Sequence, residues 1–266
     1  MAKRPRRIRI KTADEIDRMR VAGATASAIL RELAAAVRPG ITTGELDRLA
    51  GDRMKQLGCK SAFLGYRGFP GQTCLSVNEE VVHGIGGPRV LRMGDIIKID
   101  VGIVKDGWIG DNATTVPVGE VDVETRRLLA ATEQSLFEAI ARARAGSRLA
   151  DVCGAVEDHV KPLGFSVVRE FVGHGVGREL HEEPQVPNYR PHGKTPILEP
   201  GMVLAIEPMV NAGRPGVRIL DDGWTVITAD RRMSAHFEHT VLVTEGDAEL
   251  LTDRPREATP ELLGLA

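Results

Sequence analysis

LRMGDIIKIDV, residues Leu91 to Val101, returns later in the chain as LEPGMVLAIEP, residues Leu198 to Pro208. The alignment sets Gly94 on Gly201, Ile99 on Ile206 and Asp100 on Glu207. Upstream, Val37 to Gly58 matches Ala143 to Gly164 without gaps, with Gly40 on Gly146 and Leu57-Gly58 on Leu163-Gly164. The chain is therefore an internal duplication, and each copy carries an acid inside an apolar, strand-like run. An ionised carboxylate in such surroundings is costly unless a cation compensates it. One acid from each copy points to a charged site shared by both halves.

Around these strands the two halves follow one plan. Thr12 with Glu15, and Thr42 with Glu45, form capping-box patterns. Ile16, Met19, Gly23, Ala26, Leu30, Leu33 and Val37 then recur at helical spacing until Pro39-Gly40, and Leu46, Leu49 and Met54 do so until Gly58. Glu124 to Arg144 and Leu149 to Leu163 predict the same helix pair in the second half. Strand-like segments follow each pair: KSAFLGY, TCLSVNEEVVHG, IIKIDVGIVKDGW and NATTVPVG, then FSVVREFVGHG, VLAIEPMVNAG, GWTVITAD and HFEHTVLVTE. Helices segregated from antiparallel strands predict an α+β fold, its sheet covered by helices on one face. Glu182 to Gly201, with prolines at 184, 187, 191, 196 and 200, predicts an irregular surface loop. A shared site makes residues 12–251 one domain, with half-repeats of about 12–120 and 121–251 between a basic tail, 1–11, and a C-terminal tail, 252–266.

The composition supports a substantial core, with 42% hydrophobic and 27% charged residues. A net charge of -2 argues against a DNA-binding protein, leaving MAKRPRRIRIK as the one basic segment, suited at most to a weak polyanion contact such as ribosomal RNA. Cys59, Cys74 and Cys153 are odd in number and widely spaced, as in a reducing compartment. With no apolar run after the basic start and no span of about 18 apolar residues, a cytoplasmic protein is expected.

Five residues of metal-ligand type stand among apolar or small neighbours: Asp100 in KIDVG, Asp111 in IGDNA, His174 in VGHGVG, Glu207 in AIEPMV and Glu238 in HFEHTVLV. Four gathered carboxylates repel strongly, and two divalent ions would balance them. Asp100 and Asp111 flank a DGW turn, as on opposing strands of a hairpin, while Asp111 and Glu238 precede similar segments, TTVPVG and TVLVTEG. Oxygen-rich ligands with one imidazole suit Mn, Fe, Co or Zn, and argue against a structural zinc knot. His83 in VVHGIG has the local setting of His174 and reads as its first-half counterpart. His236 shares the face of Glu238, whereas His239 should point the other way. His181 begins no H-E-x-x-H motif, since Gln185 takes the second histidine's place. GHGVG lacks dinucleotide-loop spacing, and no Gly-x-Ser-x-Gly elbow occurs.

Taken together, VNEEVVHGIG, KIDVG, DGWIGDNAT, REFVGHGVGRELHEEPQVPNY, PGMVLAIEPMVNAG and DDGWTVITADRRMSAHFEHTVLV resemble the type I methionine aminopeptidases, which have the pita-bread fold. The resemblance runs from about Lys11 to Leu251. It implies two divalent metals on Asp100, Asp111, His174, Glu207 and Glu238, with Asp111 and Glu238 bridging. Catalytic roles fall on Glu207, His181 and His83, the two histidines also contacting substrate. The methionine pocket would involve Phe63, Tyr66, Phe69, Cys74, Leu180 and Trp224. Phe63 stands where a cysteine is commoner in bacterial members, and Leu180 where a phenylalanine is. Asn78, Glu80 and Ser234 match a region that binds a monovalent cation in some relatives. A monomer acting on N-terminal Met-X peptides of nascent chains is implied. Two other readings use the same fold: a proline-specific peptidase, which would carry a sizeable domain ahead of the first helix, and a non-catalytic binding module, which would have lost the ligands.

Overall fold

The computed structural model describes residues 7–253. Both capping boxes close: the Thr12 and Thr42 side chains accept from the backbone N–H of Glu15 and Glu45, starting α1 (Ala13–Ala36) and α2 (Thr43–Gln56). The first half continues with β1 (Lys60–Ser61), β2 (Cys74–Val77), β3 (Glu80–Val82), β4 (Ile96–Lys105) and β5 (Trp108–Pro117). The second half opens with α3 (Val123–Ile140) and α4 (Leu149–Val160). Short strands follow: β6 (Ser166–Val167), β7 (Gly173–Gly175), β8 (Glu182–Val186), β9 (Val203–Ile206) and β10 (Met209–Asn211). The last are β11 (Val217–Ile219), β12 (Val226–Thr228), β13 (Ser234–His236), β14 (His239–Leu242) and β15 (Glu249–Leu250).

The duplication is visible in the backbone. Three aligned glycine pairs share the left-handed region: Gly40 and Gly146 at φ 92° and 82°, Gly58 and Gly164 at 61° and 89°, and Gly94 and Gly201 at 88° and 87°. Each pair ends a helix or turns into a strand where a side chain would be strained.

Antiparallel pairing forms the sheets, with β4 between β5 on one edge and β1 and β2 on the other, and a second order β15-β14-β9-β7-β8. Alternation along the strand then divides the faces. Ile97, Ile99, Val101 and Ile103 of β4 pack with Met19, Leu30, Leu33 and Leu46 of α1 and α2. Lys98 and Asp100 therefore face away from these helices. In β9, Leu204 and Ile206 pack with Leu128, Leu136, Val152 and Val156 of α3 and α4, sending Glu207 to the opposite face. Each half thus covers one sheet face with helices and turns its acid inward, as an α+β pita-bread fold requires. The halves are joined by β3 on β12, by the isolated bridge Ala113↔Glu238, and by the Thr240 hydroxyl donating to Asp111 O at 2.7 Å.

Some local expectations change. Only Lys60–Ser61 of KSAFLGY is strand, because Gly65, Arg67 and Gly68 take φ of 81°, 49° and 91° and curl the segment into a turn and a 3-10 element. The proline-rich segment begins as β8, paired with β7, and Asn188 within it is buried, so the surface-loop reading holds only for its later part. The packed unit also exceeds residues 12–251. Lys11 is buried, donating its backbone N–H to Gly201 O and its ammonium to Glu182 Oε2, each at 2.8 Å. Thr252 is buried too, its hydroxyl meeting His239 Nδ1 at 3.0 Å. The free basic tail is thereby shortened at its end, and residues 1–6 and 254–266 lie outside the described residues.

Candidate metal centre and adjoining cavity

Asp106 and Gly107, at φ 50° and 80°, make the two-residue turn that closes the β4–β5 hairpin with Lys105 opposite Trp108. That register sets Asp100 opposite Ala113 and Asp111 opposite Gly102, so the two acids are diagonal neighbours on one face. Glu238 donates its backbone N–H to Ala113 O at 2.9 Å. Its carboxylate joins those of Asp100 and Asp111, with one oxygen from each mutually within 4.8 Å. His174 lies on β7 between Gln185 of β8 and Ala205 of β9. Glycines on both sides allow that approach: a Cβ at Gly173 would stand 2.3 Å from Ala205 O, and one at Gly175 2.1 Å from Glu183 O. His174 Nδ1–H donates to Gly175 O at 3.0 Å, turning Nε2 inward to 3.5 Å from Glu207 Oε1 and 3.9 Å from Asp111 Oδ2. All five expected ligands converge.

Two symmetry expectations do not hold. With Ile99 aligned on Ile206, the pairings Ile99↔Thr114 and Ile206↔His239 put Ala113, not Asp111, in register with Glu238. Ala113 and Glu238 meet across the join, so Asp111 and Glu238 converge without being ladder equivalents. Likewise Ser76 pairs with Lys98 as His174 pairs with Ala205, which makes Ser76 the counterpart of His174. His83 instead follows β3, in a left-handed conformation at φ 60°.

Electrostatics select for a cation. Burial, then the nearby Asp111, raises Asp100 well above the usual carboxyl range, and burial lifts Asp111 to about 7. Burial followed by Asp111 and Asp100 raises Glu207 in the same way. Burial and then His181 push His174 down to about 3, against the Gly175 carbonyl, leaving a neutral imidazole with its Nε2 lone pair available. Asp100 Oδ1 and Asp111 Oδ1 are buried with no hydrogen-bond partner among the described residues. Orphaned oxygens beside a neutral imidazole fit divalent metal. His236 Nε2, 3.7 Å from Glu207 Oε2, sits behind the cluster as expected, while His239 faces away onto Phe137 and Thr252.

The carboxylates floor a cavity of about 430 Å3 whose walls include every expected pocket residue: Phe63, Tyr66, Phe69, Cys74, Leu180 and Trp224. Phe69 meets Trp224 edge to face at 5.2 Å between centroids. His83 stands edge-on to Phe171 at 5.4 Å, and burial, with His181, pushes its pKa down to about 4. The Tyr66 hydroxyl lies 2.9 Å from His181 Nδ1, and the His181 ring is 4.3 Å from that of His174. Burial and then Arg67 lower the pKa of His181. Arg67, Glu170, Phe171, Gln185 and Met209 also line the space. None of these five carries a pattern in the sequence; Gln185 reaches the cavity because β8 sets it opposite His174.

A lysine lies in the region expected to hold a monovalent cation. Buried Lys98 donates its ammonium to Asn78 O at 2.6 Å and to Ser234 O at 3.0 Å. Glu80 is engaged elsewhere, accepting from Val77 N at 2.6 Å and from Arg89. Burial pushes the Lys98 pKa down to about 7, opposed by Glu80 and Glu79.

Comparison with known proteins agrees with this geometry. The model of metallopeptidase family M24 matches residues 17–245. Methionine aminopeptidase 1 of Bacillus subtilis is 50% identical over 242 residues, covering 91% of this chain and 98% of its own. The Escherichia coli K12 methionine aminopeptidase is 44% identical over 258 residues, covering 96% and 98%. The crystal structure of the Thermotoga maritima methionine aminopeptidase superposes with a TM-score of 0.91 at 46% identity, over 93% of this chain and all of that one. The Pyrococcus furiosus prolidase shares the fold, with a TM-score of 0.76 at 24% identity, and this chain covers 66% of it.

Proposed function

Because the chain belongs to metallopeptidase family M24 and, within it, to the methionine aminopeptidases, we propose that it removes the N-terminal methionine from nascent proteins and peptides, preferring a small uncharged second residue. The observation that carries the reading is the convergence of five ligand-type side chains on the floor of a cavity walled by aromatics and Leu180. Asp100, Asp111, His174, Glu207 and Glu238 would hold two divalent ions. Such ions, from among Mn, Fe, Co and Zn, lower the pKa of a bound water and polarise a carbonyl.

The remaining steps belong to the protein. Glu207, its carboxylate within reach of the cluster, takes a proton from the attacking water. The Tyr66 hydroxyl lies 2.9 Å from His181 Nδ1, and the tautomer in which that nitrogen accepts leaves Nε2–H to donate to the oxyanion that develops on the scissile carbonyl. His83, neutral at physiological pH, offers a hydrogen bond to the scissile amide or the leaving amine. Phe63, Tyr66, Phe69, Cys74, Leu180 and Trp224 receive the methionine side chain, whose thioether packs well on aromatic edges. The Cys74 thiol is held protonated by burial and acts as a wall.

Three free, buried cysteines fit a reducing compartment, and on that ground we place the protein in the cytoplasm; among the described residues no helix is long and apolar enough to cross a membrane. A weak ribosome contact would use the basic start, residues 1–11, of which 1–6 lie outside the described residues. The deciding experiment is a panel of Met-X peptides against X-Pro peptides, after reconstitution with Mn, Fe, Co or Zn. Cleavage of Met-Ala and Met-Gly peptides with little X-Pro hydrolysis is expected. Preferential X-Pro cleavage, or metal binding without any turnover, overturns the reading.

A further inference from the structure

We propose that Lys98 is a tethered monovalent cation: its ammonium fills a carbonyl site between the two halves that a free potassium or sodium ion could otherwise occupy, and it positions the strands that carry Asp100 and Glu238. Its Nζ contacts Asn78 O at 2.6 Å and Ser234 O at 3.0 Å, and no ion pair to a carboxylate is formed among the described residues. Positive charge held by carbonyl dipoles is the coordination chemistry of an alkali ion rather than of a salt bridge.

The site is built. Asn78 sits at φ 56° between β2 and β3 and is pinned on three sides. Its N–H donates to Ile96 O at 2.9 Å, its Oδ1 accepts from Ile96 N at 2.9 Å, and its Nδ2 donates to Asp95 at 2.9 Å. Its carbonyl is thereby held toward Lys98, and it also accepts the Ser234 N–H at 3.2 Å. The Ser234 hydroxyl is anchored on Asn211 Oδ1 at 2.8 Å. First-half and second-half backbone therefore meet at one ammonium.

The position gives that contact a consequence. Lys98 lies two residues before Asp100 on the same face of β4, while Ser234 opens the segment that runs through His236 to Glu238. One end of the contact is fixed in the Asp100 strand and the other in the Glu238 segment. Lys98 does not line the cavity and bonds to the carbonyls of Asn78 and Ser234, so it acts as a positioning residue. A partner bonded directly to a metal ligand typically governs affinity or activity by roughly 10- to 100-fold, and Lys98, one step further out, should fall toward the lower end.

The test compares wild type, Lys98→Ala and Lys98→Asn in choline chloride buffer free of alkali ions, then titrates potassium or sodium chloride. Two readouts are taken: the thermal midpoint of the metal-free protein, and turnover of a Met-Ala peptide after manganese loading. Wild type should respond to neither salt beyond the choline control. Lys98→Ala should lose several degrees of midpoint and roughly tenfold or more in turnover, both recovered by potassium or sodium. Lys98→Asn, whose amide oxygen adds a ligand for the ion, should show the same alkali response and serves if the alanine variant does not fold. The proposal is overturned if alkali ions activate or stabilise wild type, if the variants match wild type in choline, or if they are impaired and unresponsive. The midpoint arm stands even if no form of the protein cleaves methionine peptides, which separates a failure here from a failure of the proposed function.

Discussion

The two ends of the cavity are made in different ways. At the carboxylate end, Asp100 and Asp111 sit on ten-residue strands locked in a ladder, and His174, Glu207 and Glu238 come from the other half. At the apolar end, Phe63, Tyr66 and Phe69 belong to a curled first-half segment whose shape depends on left-handed residues at 65, 67 and 68. Leu180 and Trp224 reach it from loops. Strand register fixes side chains by the pleat, so the chemistry is held rigidly by two sheets. A loop fixes them residue by residue, so the fit to the substrate side chain is the adjustable end.

The strongest way to break this division is at the rigid end. Glu207→Gln is expected to lower turnover by at least about 100-fold while circular dichroism and thermal unfolding remain native-like, because an amide neither accepts the proton nor carries the charge. Turnover within tenfold of wild type, with metal content unchanged, would refute the role of Glu207.

Metal removal should come next. Exhaustive chelation is expected to abolish activity, and restoring metal to 100-fold above its Kd should add about 2.7 kcal/mol of stability. In the metal-free protein the Asp111 carboxyl titrates near 7 instead of 3.8. A folded-state pKa raised in this way gives stability that is full below the unfolded value and is lost as pH rises through the folded one. The thermal midpoint of the metal-free protein should therefore fall between about pH 4 and 7 and level off above that, and metal should flatten the slope. A metal-free midpoint that rises across the same window contradicts the buried cluster.

His181→Ala tests the boundary between the two ends. Its ring lies 4.3 Å from that of His174, yet its Nδ1 is engaged by Tyr66. Turnover should drop with metal content intact, and loss of a metal equivalent would move His181 into the ligand set. The smallest effect is expected at the adjustable end. Leu180→Phe should raise the ratio of kcat/KM for an N-terminal Met peptide over an N-terminal Leu peptide, within the roughly 10- to 200-fold that one methylene-sized difference in fit supplies. An unchanged ratio would indicate that Phe63 already provides the missing ring.

The rigid end was also the legible one. Acids in apolar strands, such as Asp100 between Ile99 and Val101, declare themselves because such strands do not keep charge without a partner, and the repeat located Glu207 by its match to Asp100. The same rule applied to Lys98, between Ile97 and Ile99, yet an ammonium bound to carbonyls has no acidic partner to look for in the sequence. Pairing across the halves was hidden as well. Which residue opposes Glu238 depends on strand register, and local similarity of TTVPVG to TVLVTEG pointed to Asp111 where the ladder places Ala113. Arg67 and Glu170 reach the cavity through loop geometry that no periodicity encodes.

The bridge from Ala113 to Glu238 also has a meaning for synthesis. Ligands from both halves, the last of them at residue 238, must be gathered before the cluster exists. Synthesis delivers Asp100 and Asp111 well before residue 238, and because a domain generally folds as a unit, the cluster closes only when both halves have been made. A chain truncated before Glu238 lacks one of the five ligand-type side chains and the bridge to Ala113, and should fail to load divalent metal.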